Sequence, residues 1–217
     1  HRLPMDVSVW KGALVEPLAV GLHAVRRSEL RAGDTAAVFG CGPIGLTVIR
    51  ALDEAGAKRI FASEPNPARR EVALELGADA TVDPTESNAV EQITTATDGG
   101  VDASFEFAGV APAVNAAIES TRRGGCVTVG SMTSGTTSVD LQGIVTGERT
   151  LRGTYCYGFP PRSFRTEFDA VIESLGDGGI EADTFVTRRV GLDALVEDGI
   201  EELRSPDTGH VKILVEP

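Results

Sequence analysis

Cysteine and long apolar runs are scarce in this sequence. Its three cysteines lie 85 and 30 residues apart, a spacing that fits neither a metal-binding cluster nor a disulfide framework. No apolar run approaches the roughly 20 residues that cross a bilayer, and no signal peptide is visible. These absences predict a cytoplasmic protein whose cysteines stay reduced and pack as small hydrophobic side chains.

Positive charge is also in short supply. Lysine occurs only at positions 11, 58 and 212, and the formal net charge is −12 over 217 residues. A surface this acidic argues against sequence-independent binding to nucleic acid and against binding to an anionic membrane. The hydrophobic content of 41% is ordinary for a folded globular chain, and the length suffices for one large domain or two small ones.

The chain is organised around a glycine-rich turn between a strand and a helix. A β-favouring run at 35–39 ends in Gly-x-Gly-x-x-Gly and passes directly into an amphipathic helix. In a dinucleotide-binding turn the first glycine permits a tight bend, the second lets the backbone approach a pyrophosphate, and the third allows helix–strand contact. A proline suits the first helical turn, where its missing N–H is not needed. The pattern predicts a phosphate-binding turn comprising Gly40, Gly42, Pro43, Ile44 and Gly45.

A carboxylate follows at the distance that a dinucleotide fold requires. The predicted second strand, 59–63, ends at Glu64, which is 19 residues after Gly45. In such folds this carboxylate accepts hydrogen bonds from the adenosine ribose hydroxyls and repels a 2′-phosphate, which favours NAD over NADP. Arg69 and Arg70 temper that preference, because arginine can accommodate the phosphate, although two arginines on a helix are often a solvated face. The plainer alternative is an ordinary βαβ unit with a surface glutamate.

Strands and helices then alternate, which is typical of a parallel sheet covered on both faces. We predict an α/β, Rossmann doubly wound, six-stranded parallel sheet. The predicted strands are 35–39, 59–63, 80–82, 101–107, 125–130 and 150–155. The predicted helices between them are 43–52, 67–76, 86–97, 112–121 and 141–148, with a further helix at 12–27 before the first strand.

The last 60 or so residues extend beyond this six-stranded unit. A helical apolar stripe runs from Phe164 to Leu175, followed by a predicted strand at 184–190, a helix at 192–203 and a closing strand at 210–215. We expect the apolar stripe and the closing strand to need a further surface to pack against.

The order of these pieces resembles the zinc-type medium-chain dehydrogenases, in particular the butanediol, sorbitol and threonine dehydrogenase branch. The residues that carry the resemblance are 16–21 (Glu-Pro-Leu-Ala-Val-Gly), the 40–46 turn, 63–65 (Ser-Glu-Pro), 75–79 (Glu-Leu-Gly-Ala-Asp), Glu106-x-x-Gly109 and 212–215 (Lys-Ile-Leu-Val). The resemblance runs along essentially all of the chain. It implies that 1–11 end a catalytic domain, that 12–156 form the dinucleotide-binding domain, and that 157–217 return to a catalytic domain missing from this sequence.

The resemblance also implies roles for single residues, and it assigns no catalytic residue. Glu16 matches the family position that faces the catalytic zinc, but one carboxylate does not hold a zinc ion. Val20 matches a position beside the nicotinamide, and Arg69 matches the basic residue on the adenosine side. The remaining implied cofactor contacts are Phe107 and Gly109 near the ribose and Val129 and Ser131 at the carboxamide, with Tyr155 and Cys156 in the adjoining stretch.

The function implied is the NAD-binding portion of an enzyme that oxidises a secondary alcohol or polyol by hydride transfer, with zinc in the complete enzyme. Residues 1–217 alone are expected to be inactive, and the family implies a homodimer or homotetramer joined through the sixth strand. One alternative is a nucleotide-binding module without catalysis. Another is an S-adenosylmethionine-dependent methyltransferase, which usually carries an acid where Val38 stands. We interpret His23 as a packed structural histidine, give Cys41 no role and find no partner for His210.

Overall fold

The computed structural model describes residues 1–133, 135–158, 165–205 and 208–217. Two parallel sheets account for its strands. The strands of the larger sheet are β1 (Thr35–Phe39), β2 (Arg59–Ser63), β3 (Ala80–Val82), β4 (Val101–Glu106), β5 (Thr121–Val129) and β6 (Thr150–Gly153). They lie in the order β3-β2-β1-β4-β5-β6, and every neighbouring pair is parallel. The predicted fold class is therefore confirmed.

Helices connect the strands and cover both faces of this sheet. They are α1 (Val9–Gly12), α2 (Val15–Arg27), α3 (Pro43–Glu54), α4 (Pro67–Glu75), α5 (Ala89–Ala96), α6 (Ala111–Ser120), α7 (Leu141–Gly147), α8 (Glu167–Gly176), α9 (Ala182–Phe185) and α10 (Glu202–Arg204). Side chains cap several of them: Asn66 accepts from the backbone N–H of Arg69 at the start of α4, and Asn88 does the same for Glu91 in α5. Within the described ranges, no helix combines the length and apolar character that a bilayer crossing requires.

The core is split into two layers by the sheet. Because successive strand residues point to opposite faces, Val38 joins the layer under α2, α3 and α8, whereas Ala37 and Phe39 join the layer under α6. Leu46 and Ile49 of α3 are fully buried in the first layer. This placement holds α3, and with it the glycine turn, rigidly against the centre of the sheet.

Several strand boundaries differ from the prediction. The first three strands match, but β4 ends at Glu106 instead of 107, β5 is Thr121–Val129 instead of 125–130, and β6 ends at Gly153 instead of 155. The pairing of β5 with β4 jumps from Val101–Thr121 to Ala103–Cys126, so extra residues bulge out of β5 there. Gly124 lies at the bulge with a φ of +72°, a conformation that glycine adopts without strain.

The segment after β6 departs further from its predicted elements. The predicted strand 184–190 is confirmed over residues 186–190, which lie in β7 (Val186–Gly191), while residues 184 and 185 end the short helix α9. The predicted closing strand is β8 (Lys212–Glu216), which pairs in parallel with β7. The predicted helix 192–203 consists of a 3-10 turn (Leu192–Ala194), a π-helical turn (Leu195–Glu201) and α10. Apolar spacing correctly indicated a helical segment here, but it does not distinguish these tighter and wider forms.

The expectation that the apolar stripe of this segment lacks a covering surface is wrong. Val171, Ile172 and Leu175 on α8 are buried in the layer that also contains α2 and α3, as is Val211 before β8. Phe164, the first residue of the stripe, lies outside the described residues. The core of the large sheet itself therefore supplies the surface that α8 covers, whereas Val215 of the closing strand is 39% exposed.

Buried polar contacts tie α8 to α2. The Glu167 carboxylate at the start of α8 is 1% exposed and lies 3.1 Å from His23 Nδ1 and 3.5 Å from Arg26 Nη1. Its second oxygen accepts from the backbone N–H of Gly158 at 3.1 Å. His23 is thus a structural residue with a partner, as interpreted. His210 also has a partner, because its Nε2 lies 3.8 Å from a carboxylate oxygen of Glu202.

Candidate functional site

The glycine turn lies where β1, β2 and β4 end side by side. Phe39, the last residue of β1, pairs with Ser63 of β2 and with Glu106 of β4. Gly40 follows with a φ of +94°, and its N–H donates to the carbonyl of Ser63 at 2.8 Å. A Cβ on Gly40 would stand only 2.6 Å from the backbone nitrogen of Ala108, so the loop after β4 leaves no room for a side chain. Both conformation and space therefore require glycine at this position.

The second and third glycines meet opposite surroundings. A Cβ on Gly45 would overlap the carbonyl oxygen of Gly40, which packs directly on the helix. A Cβ on Gly42 would meet nothing within 4 Å, so the backbone there is bare and open. Gly42 is the N-cap of α3, Pro43 is its first residue, and the N–H of Leu46 donates to the Gly42 carbonyl at 3.0 Å. The free N–H groups and positive dipole end of α3 thus coincide with open space, an arrangement suited to an anion.

The Glu64 carboxylate, directly after β2, is hydrogen-bonded to the backbone of this turn. Glu64 is 5% exposed; one oxygen accepts from the N–H of Cys41 at 2.7 Å and the other accepts from the N–H of Asn66 at 3.0 Å. A carboxylate has about four lone-pair sites, so two backbone bonds leave acceptor capacity for ribose hydroxyls. Burial, together with the Glu64 charge, raises the pKa of the Cys41 thiol well above its ordinary value. The thiol therefore stays protonated, which supports giving Cys41 no chemical role.

The two arginines beside Glu64 have different surroundings. Arg70 Nη1 donates to the carbonyls of Glu64 and Pro65, both at 2.7 Å, and to Asp83 at 2.9 Å. Arg69 lines the cleft described below, and its Nε is a buried donor with no hydrogen-bond partner among the described residues. Arg70 is thus committed to the protein, whereas Arg69 lies in the wall of the cleft.

A cleft of about 550 Å³ runs along the carboxyl edge of the sheet across the glycine turn. Of the predicted site residues, Gly40, Gly42, Glu64, Arg69 and Phe107 line it. The cleft lies where the strand order reverses between β1 and β4, the place at which open α/β sheets bind ligands.

Sequence reasoning missed two further parts of the cleft wall. One is the segment after β3, including Pro84, Ser87 and Asn88, and the other is the first half of α6, including Pro112 and Ala113. Both follow the carboxyl end of a strand, so parallel-sheet topology was the signal that could have identified them.

The other predicted residues lie outside this lining. Pro43, Ile44 and Gly45 form the first turn of α3, and Val20 lies on α2. Gly109, Val129 and Ser131 lie beyond Phe107, at the ends of β4 and β5. Glu16 is exposed in the first turn of α2. The described residues contain no group of three or more histidine, cysteine or carboxylate side chains placed to hold a metal, so they do not fit a zinc site on their own.

A buried carboxylate to which sequence reasoning gave no role stands next to the cleft. Glu106, the last residue of β4, is fully buried, and one of its oxygens accepts from the N–H groups of Ala108 at 2.8 Å and Gly109 at 2.7 Å. Its other oxygen accepts from the Ser131 hydroxyl. The sequence signal for this carboxylate was the Glu-x-x-Gly spacing at the end of a strand. The glycine of that motif, Gly109, has a φ of +75° in the turn to whose N–H groups the Glu106 carboxylate bonds.

Comparison with known proteins shows that this chain is similar to zinc-binding dehydrogenases. The family model for zinc-binding dehydrogenases matches residues 43–177, more than half of the chain. The (R,R)-butanediol dehydrogenase of Bacillus subtilis (strain 168) is 44% identical over 217 residues, covering 100% of this chain and 60% of the relative. The sorbitol dehydrogenase of the same organism is 31% identical and is covered over 59% of its length.

Solved structures agree. The crystal structure of 2R,3R-butanediol dehydrogenase from Bacillus subtilis superimposes with a TM-score of 0.89 at 44% identity, over 100% of this chain and 60% of that one. A chain described as a zinc-binding dehydrogenase from Sinorhizobium meliloti 1021, bound to NADP, superimposes with a TM-score of 0.88 at 32% identity, over 100% of this chain and 62% of that one. The chain therefore spans about three fifths of the length of these relatives.

Proposed function

Because the chain belongs to the zinc-type medium-chain dehydrogenase family, we propose that it forms the NAD-binding portion of an enzyme that oxidises a secondary alcohol or polyol. The observation that carries the proposal is the open backbone of Gly42 at the start of α3, in a cleft that also contains the Glu64 carboxylate. An anion-binding helix end and a ribose-binding acid at this spacing are the two features with which a dinucleotide site holds the pyrophosphate and the adenosine ribose.

The residues of the cleft that the proposal uses hold different parts of the dinucleotide. When bound, the nicotinamide cofactor supplies the hydride acceptor of the reaction. The backbone at Gly42 and the first N–H groups of α3 face its pyrophosphate, and the spare lone pairs of Glu64 accept from the adenosine ribose. Phe107 and Ala108 form the wall on the β4 side. Residues 40–45 and 64 thereby orient the cofactor across the edge of the sheet.

We infer that NADH binds more tightly than NADPH. Glu64 would place a negative charge against a 2′-phosphate, and Arg70 is already bonded to Asp83 and two carbonyl groups. Arg69 acts in the opposite sense, because its Nε has no partner among the described residues and it lines the same cleft. The similar structure from Sinorhizobium meliloti was solved with NADP bound, so the preference for NADH over NADPH must be tested directly.

The test is a fluorescence titration of the chain and of Glu64→Ala with both cofactors. The unaltered chain is expected to favour NADH by about tenfold, a difference of about 1.4 kcal/mol. Glu64→Ala removes the carboxylate and should reduce the difference between the NADH and NADPH affinities. Asp83→Asn removes the carboxylate partner of Arg70 and tests whether Arg70 can reach the 2′-phosphate of NADPH. Equal affinities in the unaltered chain would remove Glu64 from the ribose site, and no binding of either cofactor would overturn the proposed function.

We infer further that the substrate is a diol or polyol, after the butanediol and sorbitol dehydrogenases among the relatives. Glu16 is the one zinc-facing residue that family resemblance assigns here, so residues 1–217 on their own are not expected to turn over any alcohol. Incubation with NAD, 2,3-butanediol or sorbitol, with and without added zinc, checks this by NADH formation. Zinc-dependent NADH production would show that the chain supplies a complete catalytic site.

A further inference from the structure

Glu106 is a fully buried carboxylate next to the proposed cofactor cleft, and the function proposed above does not use it. Burying a carboxylate is costly unless its oxygens are hydrogen-bonded. Three donors meet these oxygens: the N–H groups of Ala108 and Gly109 and the hydroxyl of Ser131. The position is therefore a built polar network inside the fold.

The network joins two loops that are far apart in sequence. Ala108 and Gly109 belong to the loop after β4, while Ser131 belongs to the loop after β5. The loops touch in other ways as well: a Cβ on Gly109 would lie 3.6 Å from the Ser131 Cβ, and a Cβ on Gly130 would overlap the ring of Phe107. Glu106 supplies the hydrogen bonds that hold this contact in one arrangement.

The loop that Glu106 closes is also a wall of the cleft. Phe107, Ala108 and Val110 all line it. In a sheet of this strand order, β1 to β3 hold one mononucleotide and β4 to β6 hold the other. Glu64 stands in the first half, so Glu106 and Ser131 stand in the half that receives the second mononucleotide, the nicotinamide end.

We propose that Glu106 is a positioning residue for the nicotinamide half of the cofactor, acting by clamping the loop after β4 to the loop after β5 through Ser131. This inference rests on the proposed NAD-binding function. It assigns Glu106 no contact with the cofactor and no proton transfer. It predicts that losing the Glu106–Ser131 hydrogen bond weakens the binding of the complete dinucleotide but not the binding of its adenosine half alone.

Two probes separate these ends: NADH, which spans both halves, and ADP, which occupies only the half near Glu64 and the turn. Ser131→Ala removes the bond between the loops but leaves both backbone bonds of Glu106 in place. We expect it to weaken NADH binding about fivefold, the worth of about one hydrogen bond, with ADP binding unchanged. Ser131→Thr keeps the hydroxyl and should restore NADH affinity. Glu106→Ala should weaken NADH more than Ser131→Ala does.

The outcomes are distinct. Equal weakening of ADP and NADH by Ser131→Ala would show a general structural role and overturn the proposal, and so would unchanged NADH affinity in that variant. Because Ser131→Ala keeps the backbone hydrogen bonds of Glu106, this variant tests the positioning proposal even if Glu106→Ala does not fold. If the unaltered chain binds neither NADH nor NADPH, the proposed function fails and the positioning proposal fails with it. If the unaltered chain binds NADH but Ser131→Ala binds it equally well, only the positioning proposal fails.

Discussion

At the scale of single residues, the three glycines of the turn serve different needs although they belong to one motif. Gly45 is required by the fold, because a Cβ there would overlap the carbonyl oxygen of Gly40. Gly42 has a φ of −66° and nothing within 4 Å of its missing Cβ, so the folded chain alone does not require glycine there. The open space at Gly42 fits the proposed approach of a pyrophosphate to the backbone.

This contrast predicts opposite results for two alanine substitutions. Gly42→Ala should change the free energy of unfolding by no more than about 1 kcal/mol, the cost of a poorer N-cap, yet weaken NADH binding at least about tenfold. Gly45→Ala should cost about 1–3 kcal/mol of stability, because the helix must move off the turn. Thermal unfolding and NADH titration of both variants check this pair. Unaltered NADH affinity in Gly42→Ala would mean that the pyrophosphate does not pass over this residue.

At the scale of secondary-structure elements, Asp102 ties three strands together at the amino end of the sheet. Its carboxylate accepts from the N–H and the hydroxyl of Thr35 in β1, both at 2.8 Å, and from Arg122 Nε in β5 at 2.6 Å. Burial raises the pKa of Asp102, but the bonds from Thr35 and Arg122 outweigh it and hold the pKa below the ordinary 3.8. The contacts that join β1, β4 and β5 here thus favour the charged form.

Because the pKa is depressed in the folded state, Asp102 stabilises the protein above its unfolded pKa, and this stability is lost as pH falls through the folded pKa. Asp102→Asn should lower the free energy of unfolding at neutral pH by about 1–3 kcal/mol, since Thr35 and Arg122 lose their carboxylate acceptor. It should also flatten the fall in stability below about pH 4. Urea unfolding at several pH values measures both effects. Asp98→Asn, at an exposed loop position with a φ of +54°, is the matched control and should change neither.

At the scale of the whole molecule, β6 leaves one edge of the large sheet without a neighbouring strand among the described residues. Exposed apolar side chains accompany this edge: Leu151 in β6 is 42% exposed, and Leu141 and Val145 in α7 are each 67% exposed. An open edge and an apolar patch are both removed from water by association. The apolar side chains of α8 add nothing to this argument, because they are buried within the chain. Later in the same segment, however, Leu192, Val196, Ile200 and Leu203 are 42–65% exposed and offer a second apolar surface.

We therefore expect a dimer joined through β6, or a larger species built on it. Light scattering at low micromolar concentration should give at least twice the mass of one chain. Leu151→Lys places like charges against each other across a two-fold pairing and should shift the species towards monomer without altering the helical circular dichroism. Val9→Lys, at an 86% exposed site on α1, is the control and should leave the mass unchanged. A monomeric unaltered chain would contradict this assembly.

The sequence by itself determined those features that depend on local backbone requirements. A turn that needs a positive φ at Gly40 and no Cβ at Gly45 can be recognised from three glycines between a strand and a helix. The acid at the end of β2 follows at a fixed distance, because the intervening helix has a fixed length. Alternation of short β-favouring runs with apolar helical stripes was enough for the fold class and the approximate bounds of most elements.

Only the tertiary structure decided the features that depend on which distant residues meet. Neighbouring positions 69 and 70 read alike in sequence, but packing commits Arg70 to Asp83 and leaves Arg69 facing the cleft. The Glu106–Ser131 bond joins residues 25 apart, and the burial of α8 depends on α2, which is more than a hundred residues away. Such contacts arise from the order in which strands assemble and from the surfaces left to be covered. No local pattern encodes them, because they are properties of the assembled sheet.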